Sequence, residues 1–178
     1  MNEYEGHWTT TFTGKKFHYL DPQPDEIDIE DIAHALSLTC RYGGHCKMFY
    51  SVGEHSIRVA EIVPEELKLQ ALLHDAAEAY LTDLPRPIKH DIPEFMEIEN
   101  RIQGIISMKF NILYPRCFHE PIKQADNILL ATEARDLVNF MNDWAALPEP
   151  LTDMILPMSM FAVEMLFLTR FAEYGGLE

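Results

Sequence analysis

The chain has 178 residues, 47% of them apolar and 11% aromatic, with 29 acidic against 14 basic side chains. That length buries a core without staples and that composition excludes a disordered chain, while a net charge of −15 repels phosphate-coated nucleic acid and leaves room only for a local basic pocket. Cys40, Cys46 and Cys117 form no CxxC pair, and no apolar run suits a signal peptide or a bilayer span, so a reduced cytoplasmic protein without membrane contact is expected.

Residues 1–27 read as a polar arm. Thr9 to Thr13 alternates weakly around Phe12, Phe17 to Leu20 is a second apolar patch, and Gly14, Asp21-Pro22 and Pro24 mark turns, which predicts one or two short strands. Helical periodicity then takes over through residues 28–178. Ile29, Ile32, Ala33 and Leu36 follow Asp28, a good N-cap, with Asp31 placed as in a capping box. Gly43-Gly44 breaks the pattern. Ser51 with Glu54 three residues on forms a capping box for a helix reaching about Val63.

Pro64, Glu65 and Glu66 suit the first turn of a next helix. Leu67, Ala71, His74 and Glu78 then share one face of a helix predicted over about 64–80. Asp83 to Pro93 reads as a loop, because Pro85 and Pro87 bias their predecessors away from helix. A helix over about 94–109 turns Phe95, Ile98, Ile102 and Ile105 inward. After a connection at Tyr114 to Pro121, the longest helix is predicted over about 121–143 on Ile122, Ala125, Leu129, Val138 and Met141. A last helix, about 158–173, is apolar around much of its circumference through Met158, Phe161, Ala162, Met165, Leu166, Leu168 and Phe171, as expected of a core or interface helix, and Gly175-Gly176 stops it. The fold class that follows is all-α, a single-domain helical bundle with a short N-terminal arm or hairpin.

The chemistry concentrates on Leu72-Leu73-His74-Asp75-Ala76-Ala77-Glu78, where three ionisable groups crowd beside a leucine run. Ionisable groups buried there need a partner or a metal. Imidazole nitrogen with carboxylate oxygen suits zinc, manganese, iron or cobalt better than calcium. Adjacent helical residues point about 100° apart, so one ion meets both members of the doublet only in the angle between them. The missing ligands must come from elsewhere in the chain. His55 near the start of the Ser51-capped helix is one candidate, and Asp126, between Ala125 and Leu129 on an otherwise apolar face, is another; Glu133 lies two turns further on. His7, His18, His34, His90 and His119 read as structural or surface residues, and the cysteines as small hydrophobes.

Four blocks in order, Val52-Gly53-Glu54-His55-Ser56, Leu73-His74-Asp75-Ala76-Ala77-Glu78-Ala79, Asp83-Leu84-Pro85-Arg86-Pro87-Ile88-Lys89 and Lys123-Gln124-Ala125-Asp126, closely resemble the HD-domain phosphohydrolases. The branch that looks most similar holds bacterial 5′-deoxynucleotidases and compact phage HD hydrolases, some of which cleave deoxynucleoside triphosphates. Thr11 to Phe17 and Leu20-Asp21-Pro22 resemble the phage-type arm. The resemblance implies one divalent transition metal on His55, His74, Asp75 and Asp126, and an acid/base carboxylate at Glu78 assisted by Asp83. It implies phosphate contact from Arg41, where the family's Arg-Trp is Arg41-Tyr42. Lys89 then serves as a point contact to phosphate or as a solvated loop charge, and Trp8, Phe12 and Lys16 line or close the base pocket from the arm or simply pack the arm on the bundle.

The activity so implied is hydrolysis of a deoxynucleoside monophosphate to deoxynucleoside and phosphate. The alternative is release of triphosphate from a deoxynucleoside triphosphate, which brings additional Mg and needs more cations from Lys15, Lys16, Lys47, Arg86 or Lys123. The expected partners are a small nucleotide and further copies of the chain, as a homodimer or larger homo-oligomer.

Overall fold

A computed structural model describes residues 6–112, 120–139 and 147–176. Its architecture is the expected all-α bundle, with one small hairpin at the start. Strands β1 (Thr9–Thr10) and β2 (Lys16–Phe17) pair antiparallel, Thr9 opposite Phe17 and Thr10 opposite Lys16. The hairpin tip docks on the first helix. The Thr13 N–H and hydroxyl both donate to Asp31, at 2.6 and 2.9 Å, and Phe12 stacks on His34 with ring centres 3.7 Å apart. Asp31 therefore anchors the arm and takes no part in a capping box. Behind the tip, fully buried Phe17 stacks on Tyr80 at 4.1 Å.

Helix α1 (Ile29–Leu38) is capped as predicted, with the Asp28 carboxylate accepting from the Glu30 N–H. Helix α2 (Val52–Ile62) is capped by the Ser51 hydroxyl, which accepts from the Glu54 N–H at 3.1 Å. The reciprocal half of that capping box is spent elsewhere. Buried Glu54 accepts from Arg58 through Oε1 and from the Met158 N–H through Oε2 at 2.9 Å, tying α2 to the approach of the last helix.

Helix α2 is the hub of the bundle and packs against α1, α3 (Lys68–Leu72), α6 (Glu120–Asp136) and α7 (Met160–Glu173). Gly53 permits this approach. A methyl group there would sit 3.0 Å from Val163 Cγ1 and 3.2 Å from the backbone of Leu36 and Ser37.

The helix predicted over 64–80 is broken. A 3-10 turn at Glu65–Leu67 leads into α3, which ends at Leu72, and after His74-Asp75 a second 3-10 turn covers Ala76–Ala79. The cause lies in the doublet itself. The His74 ring Nδ1–H donates to the Ala71 carbonyl at 2.7 Å and satisfies an acceptor that a continuing helix would have used. The predicted loop 83–93 instead contains α4 (Arg86–Asp91), since Pro85 is its N-cap and Pro87 falls in its first turn, where a missing N–H is harmless. Helix α5 (Pro93–Lys109) follows at once, burying Ile102 and Ile106 while Phe95, Ile98 and Ile105 are half-buried.

Helix α6 stops at Asp136, short of the predicted 143, so Val138 lies beyond it; Met141 is outside the described residues, as are Cys117 and His119. Tertiary contacts end it: the Leu137 carbonyl accepts from the Lys47 N–H, and Asp136 accepts from the Ile155 N–H at 2.8 Å. In α7 the buried stripe is Val163, Phe167 and Phe171, whereas Phe161 and Met165 face outward. Its end matches the expectation: Gly175 takes φ +88° and the Gly176 N–H returns to the Phe171 carbonyl. Among the described residues no helix is long and apolar enough to cross a membrane.

Candidate metal centre

His55 stands in the first turn of α2, fully buried, and its ring faces that of His74 with centres 5.4 Å apart. Both rings have Nδ1 committed. His55 Nδ1 lies 2.6 Å from Glu133 Oε1, and His74 Nδ1 donates to a carbonyl, which only accepts. Each Nδ1 therefore carries a proton, and Nε2 presents a lone pair whenever the ring is neutral, as it must be to bind a metal. Both Nε2 atoms are buried and have no hydrogen-bond partner among the described residues.

Carboxylates surround these two nitrogens. His55 Nε2 is 3.2 Å from Asp126 Oδ1 and 3.8 Å from Asp75 Oδ2, and His74 Nε2 is 3.2 Å from the same Asp75 oxygen. Two ligands at about 2.1 Å from a tetrahedral ion lie ~3.4 Å apart, so the spacing fits a single small cation. His55, His74 and Asp75 form a possible metal cluster on distance alone. The break after Leu72 is what allows it: the doublet leaves the helix, so its two side chains are freed from the angular spacing of helical neighbours.

The electrostatics agree. Burial disfavours the His74 imidazolium, yet Asp75 and Asp126 outweigh it and push the ring up to about 9. Without a metal the ring itself therefore carries the positive charge these carboxylates call for, and a bound cation displaces that proton. Burial likewise raises the Asp126 and Glu133 carboxyls. His55 outweighs it at Asp126, and Arg41 with His55 at Glu133, so each is held at about 2. Asp75 is driven far below the usual carboxylate range, against burial, by His74, His55 and Arg41. Ionised carboxylates facing two open imidazole nitrogens demand positive charge, and a divalent ion meets that demand.

Arg41 and Tyr42 sit behind the ring on a tight turn, Arg41–Gly44, in which Tyr42 itself adopts the left-handed φ of +58°. Arg41 Nε donates to Glu133 at 3.2 Å and its Nη1 is 3.9 Å from Asp75, while the Tyr42 hydroxyl donates to Glu133. Backbone strain at a non-glycine residue persists where surrounding contacts enforce it, and here the contact is with the carboxylate that orients His55. Tyr42 thus reaches Glu133 through its hydroxyl. The flanking Cys40 and Cys46 have sulfurs 3.6 Å apart.

The remaining sequence candidates divide. Glu78 is buried, and burial, then Asp75 and Asp83, raise its carboxyl well above the usual range, with Lys89 offsetting in part. Asp83 follows Thr82, whose φ of +138° is a second strained position. Lys89 is brought to Glu78 and Glu99, at 2.8 and 2.6 Å, rather than to the histidines. Trp8 and Lys16 are brought to each other, the ammonium 4.6 Å over the indole. Arg86 Nη2 lies 3.5 Å from Asp126 Oδ2. His18 and His34 pair with Glu26 and Glu164 as structural residues. Sequence reasoning missed Glu133 as the residue orienting His55, although its place seven residues after Asp126 on α6 was a usable signal, and it missed Glu99 altogether.

Comparison with known proteins adds descent to this geometry. No protein-family model matches the chain. It is 39% identical over 171 residues to the uncharacterized protein YfdR of Escherichia coli K12, covering 94% of this chain and 95% of that one. It is 34% identical over 145 residues to the uncharacterized protein RCAP_rcc00048 of Rhodobacter capsulatus, covering 75% of this chain and 74% of the relative. At 25% identity over 155 residues, 68% of this chain and 80% of the other, it is similar to the protein named 5′-deoxynucleotidase VP0926 of Vibrio parahaemolyticus. The chain belongs to the family that includes YfdR, and it is a distant homologue of 5′-deoxynucleotidases of the HD family.

Proposed function

We propose that this chain is a divalent-metal-dependent phosphohydrolase whose substrate is a 2′-deoxynucleoside 5′-monophosphate. The observation that carries the reading is the pair of buried, unpartnered Nε2 atoms of His55 and His74, tautomerically fixed and facing Asp75 and Asp126. The distant relatives named 5′-deoxynucleotidase supply the substrate class.

His55, His74, Asp75 and Asp126 hold the cation, which when bound polarises a phosphoryl oxygen and makes water more acidic. Glu78 exchanges a proton at its free Oε2 with attacking water or the leaving 5′ oxygen. Asp83, at the head of the Leu84-Pro85 turn, adds negative charge that keeps this proton on Glu78. Arg86, two-thirds exposed beside Asp126, is free to swing onto a phosphate and balance charge on its equatorial oxygens. Arg41 is already paired with Glu133 and Asp75 and supplies fixed positive potential.

The cations favour a monophosphate over a triphosphate. Lys15 is held by Asp25 and Asp28, Lys16 lies over Trp8, and Lys47 donates to the Asp136 carbonyl. These three lysines are engaged elsewhere, which leaves Arg86 and the exposed Lys123, one turn before Asp126, as the candidate cations, and a triphosphate needs more charge than that pair brings.

The test is a panel of deoxynucleoside mono- and triphosphates with the metal-loaded protein and chromatographic separation of products. Deoxynucleoside and inorganic phosphate from monophosphates support the reading. Triphosphate released from deoxynucleoside triphosphates moves the substrate assignment, and no product from either class removes the function.

A further inference from the structure

The sequence gives Lys89 the role of a phosphate contact, but its surroundings point elsewhere. Pro85 and Pro87 start α4 so that Lys89 falls in its last turn, and α5, beginning at Pro93, carries Glu99 alongside. The ammonium donates to Glu78 Oε1 at 2.8 Å and to Glu99 Oε1 at 2.6 Å, with only 19% of the side chain exposed. An ammonium has three donors and no acceptor, and two of the three are spent on carboxylates in a partly buried setting. Reaching a phosphate would require leaving both, stranding Glu78 and Glu99 beside each other.

The effect on Glu78 is specific. One of its oxygens, Oε1, is fixed by the lysine. The other, Oε2, is buried and has no hydrogen-bond partner among the described residues. A lysine paired with Glu78 alone would hold that carboxylate strongly ionised. Sharing the same ammonium with Glu99 weakens the electrostatic pull while preserving the geometry. The largest other charges acting on Glu78 are Asp75 and Asp83, both negative, and among the described residues Lys89 is the side-chain cation that most opposes them.

We propose that Lys89 is a positioning residue, clamped between Glu78 and Glu99 so that Glu78 presents one fixed oxygen and one free oxygen to the reaction, and that it does not bind the substrate phosphate. The proposal rests on the reading of Glu78 as the acid/base group given above.

Its test uses Lys89→Met, Lys89→Arg and Glu99→Gln in the metal-loaded full chain, with dAMP as substrate. Lys89→Met lowers kcat about tenfold or more, leaves KM for dAMP within about twofold, and moves the Glu78 limb of the pH profile up by about one unit. Lys89→Arg restores part of the rate. Glu99→Gln moves the same limb down, because Lys89 then pairs with Glu78 alone; a merely structural residue does not produce opposite shifts in the two variants. The Glu78 carboxyl 13C titration, followed by NMR without substrate, shifts in the same two directions. Bound metal at the wild-type level in each variant confirms an intact centre. A tenfold rise in KM with the limb unmoved makes Lys89 a phosphate ligand and overturns the proposal, and so does a carboxyl titration that neither substitution moves. If dAMP and the other nucleotides are not hydrolysed, the proposed function fails while the carboxyl titration still decides the clamp.

Discussion

His55 on α2 and Glu133 on α6 are separated by 78 positions in the chain, yet the imidazole Nδ1 and the carboxylate oxygen meet at 2.6 Å with both side chains fully buried. This bond fixes which ring nitrogen carries the proton and turns the other toward Asp126. Arg41 and Tyr42 converge on the same carboxylate, so Glu133 joins the strained Arg41–Gly44 turn to the metal centre.

Outer partners of a ligating histidine commonly contribute 10–100-fold in metal affinity. Glu133→Gln is expected to weaken binding of Mn2+ or Zn2+ by a factor in that range, measured by calorimetric titration, with the helical circular dichroism of the wild type retained. Equal affinity in the variant would mean that His55 is oriented by packing alone.

Gly53 sets how closely α2 approaches α1 and α7. Overpacking of a close-packed core costs typically about 1–3 kcal/mol, and two of the three atoms that a methyl group would meet at Gly53 are backbone, which gives way least. Gly53→Ala is expected to lower unfolding stability by about that amount in a denaturant titration, and to weaken metal binding because α2 carries His55. An unchanged midpoint would show that α1 and α7 can move apart at little cost.

Asp136 anchors the segment that returns to α7. Its carboxylate pairs with Arg135 at 2.7 Å and accepts from the Ile155 N–H at 2.8 Å, and Arg135 first, then the backbone bond, hold it below the usual range against burial. A depressed folded-state value means that the unfolded chain binds the proton more readily. The stabilisation is therefore complete above the unfolded value of about 3.9 and disappears as pH falls through the lower folded value. Asp136→Ala leaves the Ile155 N–H without that acceptor, for an expected loss of about 1–3 kcal/mol at neutral pH. Wild type and variant should converge as pH falls through the depressed folded-state value of Asp136 in chemical unfolding measured across acid pH. A difference that persisted into strong acid would assign the loss to packing.

Much of the site was legible because its signals are local. Asp28 and Ser51 cap their helices as their spacing implies, and the His74-Asp75 doublet and Asp126 stand out as ionisable groups among apolar residues. The illegible parts are those decided by contacts across the chain. The predicted helix over 64–80 fails because the His74 ring competes for the Ala71 carbonyl, which no periodicity reveals. Pro87 reads as a breaker until Pro85 is seen to start the helix. Helix α6 ends where Lys47 and Ile155 reach its last turn. Lys89 reads as a phosphate ligand because Glu99, its second partner, carries no motif of its own. Phe161 and Met165 look like core residues, yet the buried stripe of α7 runs along Val163, Phe167 and Phe171.

The central claim is that side chains from α2, the segment after α3 and α6 gather one cation. Crystals grown with Mn2+ and measured near its absorption edge test it most directly. The expected result is a single strong anomalous peak within about 2.3 Å of His55 Nε2, His74 Nε2, an Asp75 oxygen and an Asp126 oxygen. Manganese bound elsewhere, with the two imidazole nitrogens still without a ligand in protein saturated with the ion, would contradict it.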